Sequence, residues 1–190
     1  MDLLSSSIYQ CTLSSVLSEL DHYLSHDTVD SDRWLGIRSL ILGYLNTVMH
    51  GGQYHGKSAL LYIAFTIKGR KLLIDDSGLR SKVTAIGLNS PITVGNSKGK
   101  SALYFLAGKP EGQRLLIADN TLRDKITADG LNAVIAEGLY KGYSPLLFLA
   151  ASSEGRQLLK DDEVLRGKIT TEGLNAVVHE GEFKGFSTLI

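Results

Sequence analysis

The chain has 190 residues, an apolar share of 43% and equal numbers of acidic and basic side chains, so its formal net charge is zero. That balance argues against a general polyanion binder, nucleic acid included, and no apolar run reaches the roughly 18–20 residues of a membrane span. Cys11 is the single cysteine; it cannot form an internal disulfide, reads as a buried structural thiol, and fits a reducing, cytoplasmic compartment.

The first 55 residues do not repeat. Leu3, Leu4, Ile8, Leu13, Val16, Leu17, Leu20 and Leu24 follow helical spacing. A polar break from Asp27 to Asp32, rich in N-cap residues, separates them from a second helix carrying Trp34, Leu35, Ile37, Leu40, Ile41, Tyr44, Leu45, Val48 and Met49. This lead holds an acidic excess: Asp2, Glu19, Asp21, Asp27, Asp30 and Asp32 precede the first basic residue, Arg33. The amino terminus lacks the basic start and apolar core of a signal peptide.

From Gly56 onward the sequence repeats every 43 residues. Gly56-Lys57-Ser58-Ala59-Leu60 returns as Gly99-Lys100-Ser101-Ala102-Leu103, as Gly142-Tyr143-Ser144-Pro145-Leu146 and as Gly185-Phe186-Ser187-Thr188-Leu189. Fixed-period self-similarity means units that cannot bury their apolar faces alone and therefore stack. The expected organisation is a helical cap over 1–55, repeats over 56–98, 99–141 and 142–184, and the start of a fourth at 185–190. Leu45-Asn46 sits where the units have Leu88-Asn89, Leu131-Asn132 and Leu174-Asn175, so the lead reads as a degenerate terminal unit covering an open apolar face.

Within the second unit, Ser101 caps a short helix from Ala102 to about Gly108. Pro110-Glu111 opens a second, carrying Leu115, Leu116, Ile117 and Leu122. Thr127 caps a third, with Asp129 in its first turn and Gly138 just past its end. Pro91 stands where Val134 and Val177 stand later, so the third helix of the first unit is expected to be short or kinked. No stretch alternates long enough to be a strand. The fold class is therefore all-α: an α-solenoid of about three short helices per unit behind an N-terminal helical cap.

The unit start resembles an ankyrin repeat. Gly142, Ser144-Pro145-Leu146, Ala150, Gly155 and Leu158-Leu159 carry the likeness, and Gly99, Ser101, Leu103, Ala107, Gly112 and Leu115-Leu116 follow it. The ankyrin period is about 33 residues, and the family's His is replaced by Leu61, Tyr104 and Leu147. Three helices in a longer unit are similar to an armadillo repeat. Both resemblances imply protein–protein interaction, at the level of fold analogy. Diverged long-period repeats also look like those of secreted bacterial effectors, which implies delivery into a host cytosol.

Several motifs invite a chemical reading. Gly51 to Ser58 spells a phosphate loop, Gly-x4-Gly-Lys-Ser, but the chemistry needs a preceding strand and an acid on another strand; here a helix precedes it and the motif is the unit start, so no nucleotide is expected. His22 and His26, beside Asp21 and Asp27, have metal-ligand spacing and read as solvated histidines. No nucleophile elbow is present. The expectation is no cofactor, no metal and no catalysis.

Asn46, Asn89, Asn132 and Asn175 read either as a row of peptide-binding amides or as amides tying down the neighbouring unit's loop; buried loop backbone needs partners, which favours the second. Arg80, Arg123 and Arg166, with Lys82, Lys125 and Lys168, read as solvated faces paired to Asp76, Asp119 and Asp162. The candidate partner-binding stripe lies around the unit starts: Tyr54, His55 and Lys57; Lys98 and Lys100; Tyr140, Lys141 and Tyr143; Phe183, Lys184 and Phe186. Exposed aromatics and cations suit a contact surface, whereas the alternative packs the aromatics between units. The chain reads as an interaction scaffold at the amino end of a longer protein, with a substrate-positioning solenoid of an enzyme as the competing class.

Overall fold

The computed structural model describes residues 3–26 and 31–188, with side chains described from Thr12 onward. Cys11 and Asp27, and the expectations attached to them, lie outside the described side chains. The described residues form fourteen α-helices, one 3-10 turn and no strand beyond a lone bridge between Val177 and Ser187. None of these helices is long and apolar enough to cross a membrane.

Helices α1 (Leu3–Ser25) and α2 (Ser31–Leu42) make the lead. Leu13, Val16, Leu17, Leu20, Trp34, Ile37 and Ile41 are buried. The second helix ends seven residues before Met49, and Leu35 and Leu40 face solvent. Tyr23 stacks on Trp34 with 5.6 Å between ring centroids. Lys68 closes the carboxyl end of α1, donating to the carbonyls of Tyr23 (2.9 Å) and His26 (3.0 Å), where a cation also opposes the helix dipole.

Each 43-residue unit then contributes four helices, not three. The first unit has α3 (Ala59–Phe65), α4 (Ile67–Asp75), α5 (Ser77–Ser81) and α6 (Ala85–Asn89). The second has α7 (Ala102–Ala107), α8 (Pro110–Ala118), α9 (Asn120–Asp124) and α10 (Ala128–Asn132); the third has α11 (Pro145–Ala151), α12 (Ser153–Asp161), α13 (Glu163–Arg166) and α14 (Thr171–Asn175). The extra break has a local cause. Asp76, Asp119 and Asp162 are extended, and each carboxylate accepts the amide three residues on, from Leu79, Leu122 and Leu165 at 2.8–2.9 Å. An N-cap of this kind, worth about 1 kcal/mol, restarts the helix in a new direction.

The last helix of each unit is also shorter than expected. It stops at Asn89, Asn132 or Asn175 rather than running toward Gly95, Gly138 or Gly181. An irregular hairpin follows: Ile92 N donates to Lys100 O at 2.8 Å and Gly99 N to Ile92 O at 2.8 Å, with the same pair of bonds at Met49, Ile135 and Val178. Gly138 and Gly142 take φ of +79° and +93° in this turn, so the glycines mark a hairpin and not a helix end. Pro91 lies in this extended stretch, as do Val134 and Val177; α6 is no shorter than α10 or α14, and the proline has no helix to kink.

Equivalent helices of consecutive units pack together: α3 on α7 and α7 on α11, α4 on α8 and α8 on α12, α6 on α10 and α10 on α14. One apolar core runs from Leu13 to Val178. Three polar ladders accompany it. Asn89 donates from Nδ2 to Lys125 O (2.8 Å) and accepts from Thr127 N (3.1 Å). Asn46 and Asn132 do the same to Lys82 and Thr84, and to Lys168 and Thr170. The asparagines therefore tie down the next unit's backbone and are not free amides.

In the second ladder, Arg38 pairs with Asp76, Arg80 with Asp119 and Arg123 with Asp162. The expected pairing of arginines with these aspartates is present for Arg80 and Arg123, but the faces are not solvated ones. Each arginine reaches the acid of the following unit, and at the last two pairs both side chains are less than a fifth exposed. In the third, Arg70 donates to Ala64 O and Phe65 O, Gln113 to Ala107 O, and Arg156 to Ala150 O, filling carbonyls left open where each unit's first helix ends.

The asparagine clasp dictates a glycine. A Cβ built on Gly130 would lie 2.0 Å from Asn89 Oδ1, and Gly87 and Gly173 meet Asn46 and Asn132 at 2.1 and 2.0 Å. Helix propensity alone makes Gly130→Ala stabilising by about 1 kcal/mol. The contact reverses the sign, and urea denaturation is expected to show a destabilised variant.

The aspartates give a pH signature. The Arg38 guanidinium, then the Leu79 amide, hold Asp76 below the usual carboxylate range in spite of burial. At Asp119 burial acts upward but is outweighed by the Leu122 amide and Arg80; at Asp162 the Leu165 amide leads. A carboxylate depressed in the folded state stabilises it above the unfolded value, about 3.9, and that stability is lost as pH falls through it toward the folded value. Stability is expected to decline as pH drops below about 5, with a shallower slope in Asp119→Asn, read by thermal melts across pH.

Candidate partner-binding groove

Four residues of the predicted stripe, Lys100, Tyr140, Tyr143 and Phe183, line a half-open groove of about 1070 Å³. Its other walls come from the first two helices of the units: Phe65 on α3, Tyr104 and Phe105 on α7, Pro110, Gln113 and Arg114 on α8, Phe148 on α11. That volume lies at the upper end of small-molecule pockets and has room for several side chains of a bound segment.

The floor is a continuous series of aromatic contacts. Phe65 meets Phe105 edge-on at 5.2 Å between centroids, Phe105 meets Tyr104 at 5.5 Å and Tyr104 meets Phe148 at 5.0 Å. Phe148 meets Tyr143 at 5.7 Å, Tyr143 meets both Tyr140 (5.7 Å) and Phe183 (5.8 Å), and Phe183 meets Phe186 at 6.4 Å. Edge-to-face pairs of this spacing add attraction beyond area burial. Burial pushes the Tyr104 phenol well above its ordinary pKa, so it stays a neutral hydroxyl.

The stripe itself divides. Tyr54 and Tyr143 are 5% exposed; they are packing residues, which corrects the reading of them as surface anchors. Tyr54 meets Tyr62, and the Tyr143 hydroxyl approaches Phe183 N at 3.4 Å. Lys100 is buried too, its ammonium 3.8 Å from the Tyr140 ring centroid. Lys57 donates to the Tyr62 hydroxyl at 3.1 Å. Lys98 pairs with Glu137 at 2.7 Å. His55, Lys141, Lys184, Tyr140 and Phe186 face solvent, and of these only Tyr140 reaches the groove.

The residues missed from sequence are mainly helical. Phe105 and Phe148 occupy the same place in successive units as Tyr62 does in the first. An aromatic at that position in every unit was the available signal, hidden because it lies inside an apolar helical stripe.

Elsewhere the chemical motifs fall to internal bonds. In the phosphate-loop spelling, His55 N donates to Gly52 O, Gly56 N to Met49 O and Lys57 N to Tyr54 O, while Ser58 caps α3; the amides that would cradle a phosphate are turned onto the chain itself. His26 Nδ1 lies 2.7 Å from His22 O. Among the described residues no group of three His, Cys, Asp or Glu side chains could hold a metal ion. Compared with protein-family models, curated proteins and solved structures, the chain matches none.

Two tyrosines from one loop should behave in opposite ways. Tyr143→Ala removes a buried ring and is expected to cost about 3–5 kcal/mol. Tyr140 is 44% exposed, and Tyr140→Ala should stay within about 1 kcal/mol. Denaturant midpoints of the two variants, read side by side, check the assignment.

Proposed function

We propose that the chain is a helical-repeat scaffold, an α-solenoid behind an N-terminal helical cap, that binds a segment of a partner protein in its aromatic groove. The observation that carries this reading is the chain of rings from Phe65 to Phe183, which crosses all three units, with Tyr104, Phe105 and Tyr143 packed beneath and Phe65, Tyr140, Phe148 and Phe183 reaching the groove. A core needs no such opening, and aromatic walls beside charged rims are the composition of protein contact surfaces. Lys109, Arg114, Glu154, Glu180 and Glu182 supply exposed charges at the rim. The polar ladders support the scaffold role: they fix each unit to the next and spend no side chain on chemistry.

A random-peptide phage library panned on the folded chain tests this directly. Enrichment of a related family of peptides is expected, with binding of a synthetic representative weakened about thirtyfold by Tyr140→Ala. An exposed substitution away from the groove, Ile86→Ser, should leave it unchanged. No enriched family, or equal binding by the Tyr140→Ala variant, would count against the groove.

A further inference from the structure

Lys100 is the one charged side chain in the groove that is nine-tenths buried: it is 8% exposed. Its ammonium faces the rings of Tyr140 at 3.8 Å and Tyr104 at 5.9 Å. No carboxylate, carbonyl or hydroxyl of the described residues accepts a hydrogen bond from it, whereas Lys57 at the equivalent place has the Tyr62 hydroxyl and Lys98, two residues earlier, has Glu137. Ring faces attract a cation but do not accept its three protons as oxygens do. The stem is buried while the ammonium keeps contact with the solvent of the groove, and burial holds it below the usual lysine range; a partner segment that expels that solvent must supply an acceptor in its place.

Building on the reading of the groove as a protein-binding surface, we infer that Lys100 is its anion-reading residue: the partner segment sets an Asp or Glu carboxylate on the Lys100 ammonium and an adjacent apolar side chain against the rings of Tyr140 and Phe148. The acids that share the groove do not compete for this role. Glu154, Glu180 and Glu182 stand exposed at the rim, and Glu154 already has Ser153 and the charges of Arg114 and Arg156 around it. Rim pairs shift affinity by a few-fold at most, whereas a desolvated ion pair that loses one partner weakens binding by about thirtyfold or more.

The test uses the full chain and the peptides enriched by panning. Their shared sequence is expected to contain an acid next to a large apolar residue. By calorimetry, replacing that acid with its amide in the synthetic peptide should weaken binding about thirtyfold. Lys100→Met, which keeps the aliphatic stem, should cost the same, and the amide peptide should lose nothing further on that variant. Lys100→Arg should retain most of the affinity. Because the peptide-side change is made on the unaltered protein, the result does not depend on how well Lys100→Met folds. A basic or uncharged shared sequence, or an acidic peptide that binds Lys100→Met as tightly as the parent, overturns the inference. In either case binding that still weakens in Tyr140→Ala keeps the groove itself. If panning enriches nothing, the groove reading falls and this inference falls with it.

Discussion

Much of the architecture follows from one asparagine. Buried at the end of the last helix of its unit, Asn89 satisfies a carbonyl and an amide of the next unit at once. Unpaired, each of those groups would cost about 1–3 kcal/mol, so the bonds set where the next unit must lie. They also set what that unit may contain, since the backbone approaches too closely for any side chain at Gly130. The Thr-x-x-Gly-Leu-Asn motif is thus one device in three parts: a threonine whose amide is gripped and whose hydroxyl accepts from the glycine amide, a glycine that makes room, and the next asparagine.

The arginine–aspartate ladder does for the third helix of each unit what the asparagine does for the fourth. Asp119 both starts α9 and receives Arg80 from the unit before. Capping and inter-unit pairing fall on one carboxylate, so the direction of the third helix is coupled to the position of its neighbour. Position 70 and its equivalents show the same economy: Gln113 is neutral where Arg70 and Arg156 are charged, yet each supplies a donor to the carbonyls ending the helix before it.

The all-helical class and the 43-residue period are plain in the sequence because the apolar residues of α3, α7 and α11 recur in step. The helix count was not legible. Leu115 to Leu122 keeps a helical spacing straight through Asp119, and that spacing hides the aspartate's turn to capping Leu122 N while it receives Arg80 from the unit before. The hairpins were read as helix because their apolar residues, Ile135 among them, are followed by glycines that also suit helix ends. At the groove, residues such as Tyr140 and Phe183 stood out by type, but burial separates Tyr143 from Tyr140 three positions away, and no local pattern encodes that. Phe105 and Phe148 escaped notice because an aromatic in an apolar stripe looks the same whether its outer edge meets a neighbour or an opening.

The clasp fixes phase but leaves length free. Asn46 and Asn89 each grip a backbone pair of the following unit in the same way. An in-frame loss of the 43 codons for residues 56–98 would therefore hand Asn46 the very groups that Asn89 now holds, and a duplication would insert another matched link. A gain or loss of one codon within a unit has no such remedy: it turns an amide away from its carbonyl at the next joint. Genes of this design can lengthen or shorten by whole modules while the joints between them tolerate almost no drift.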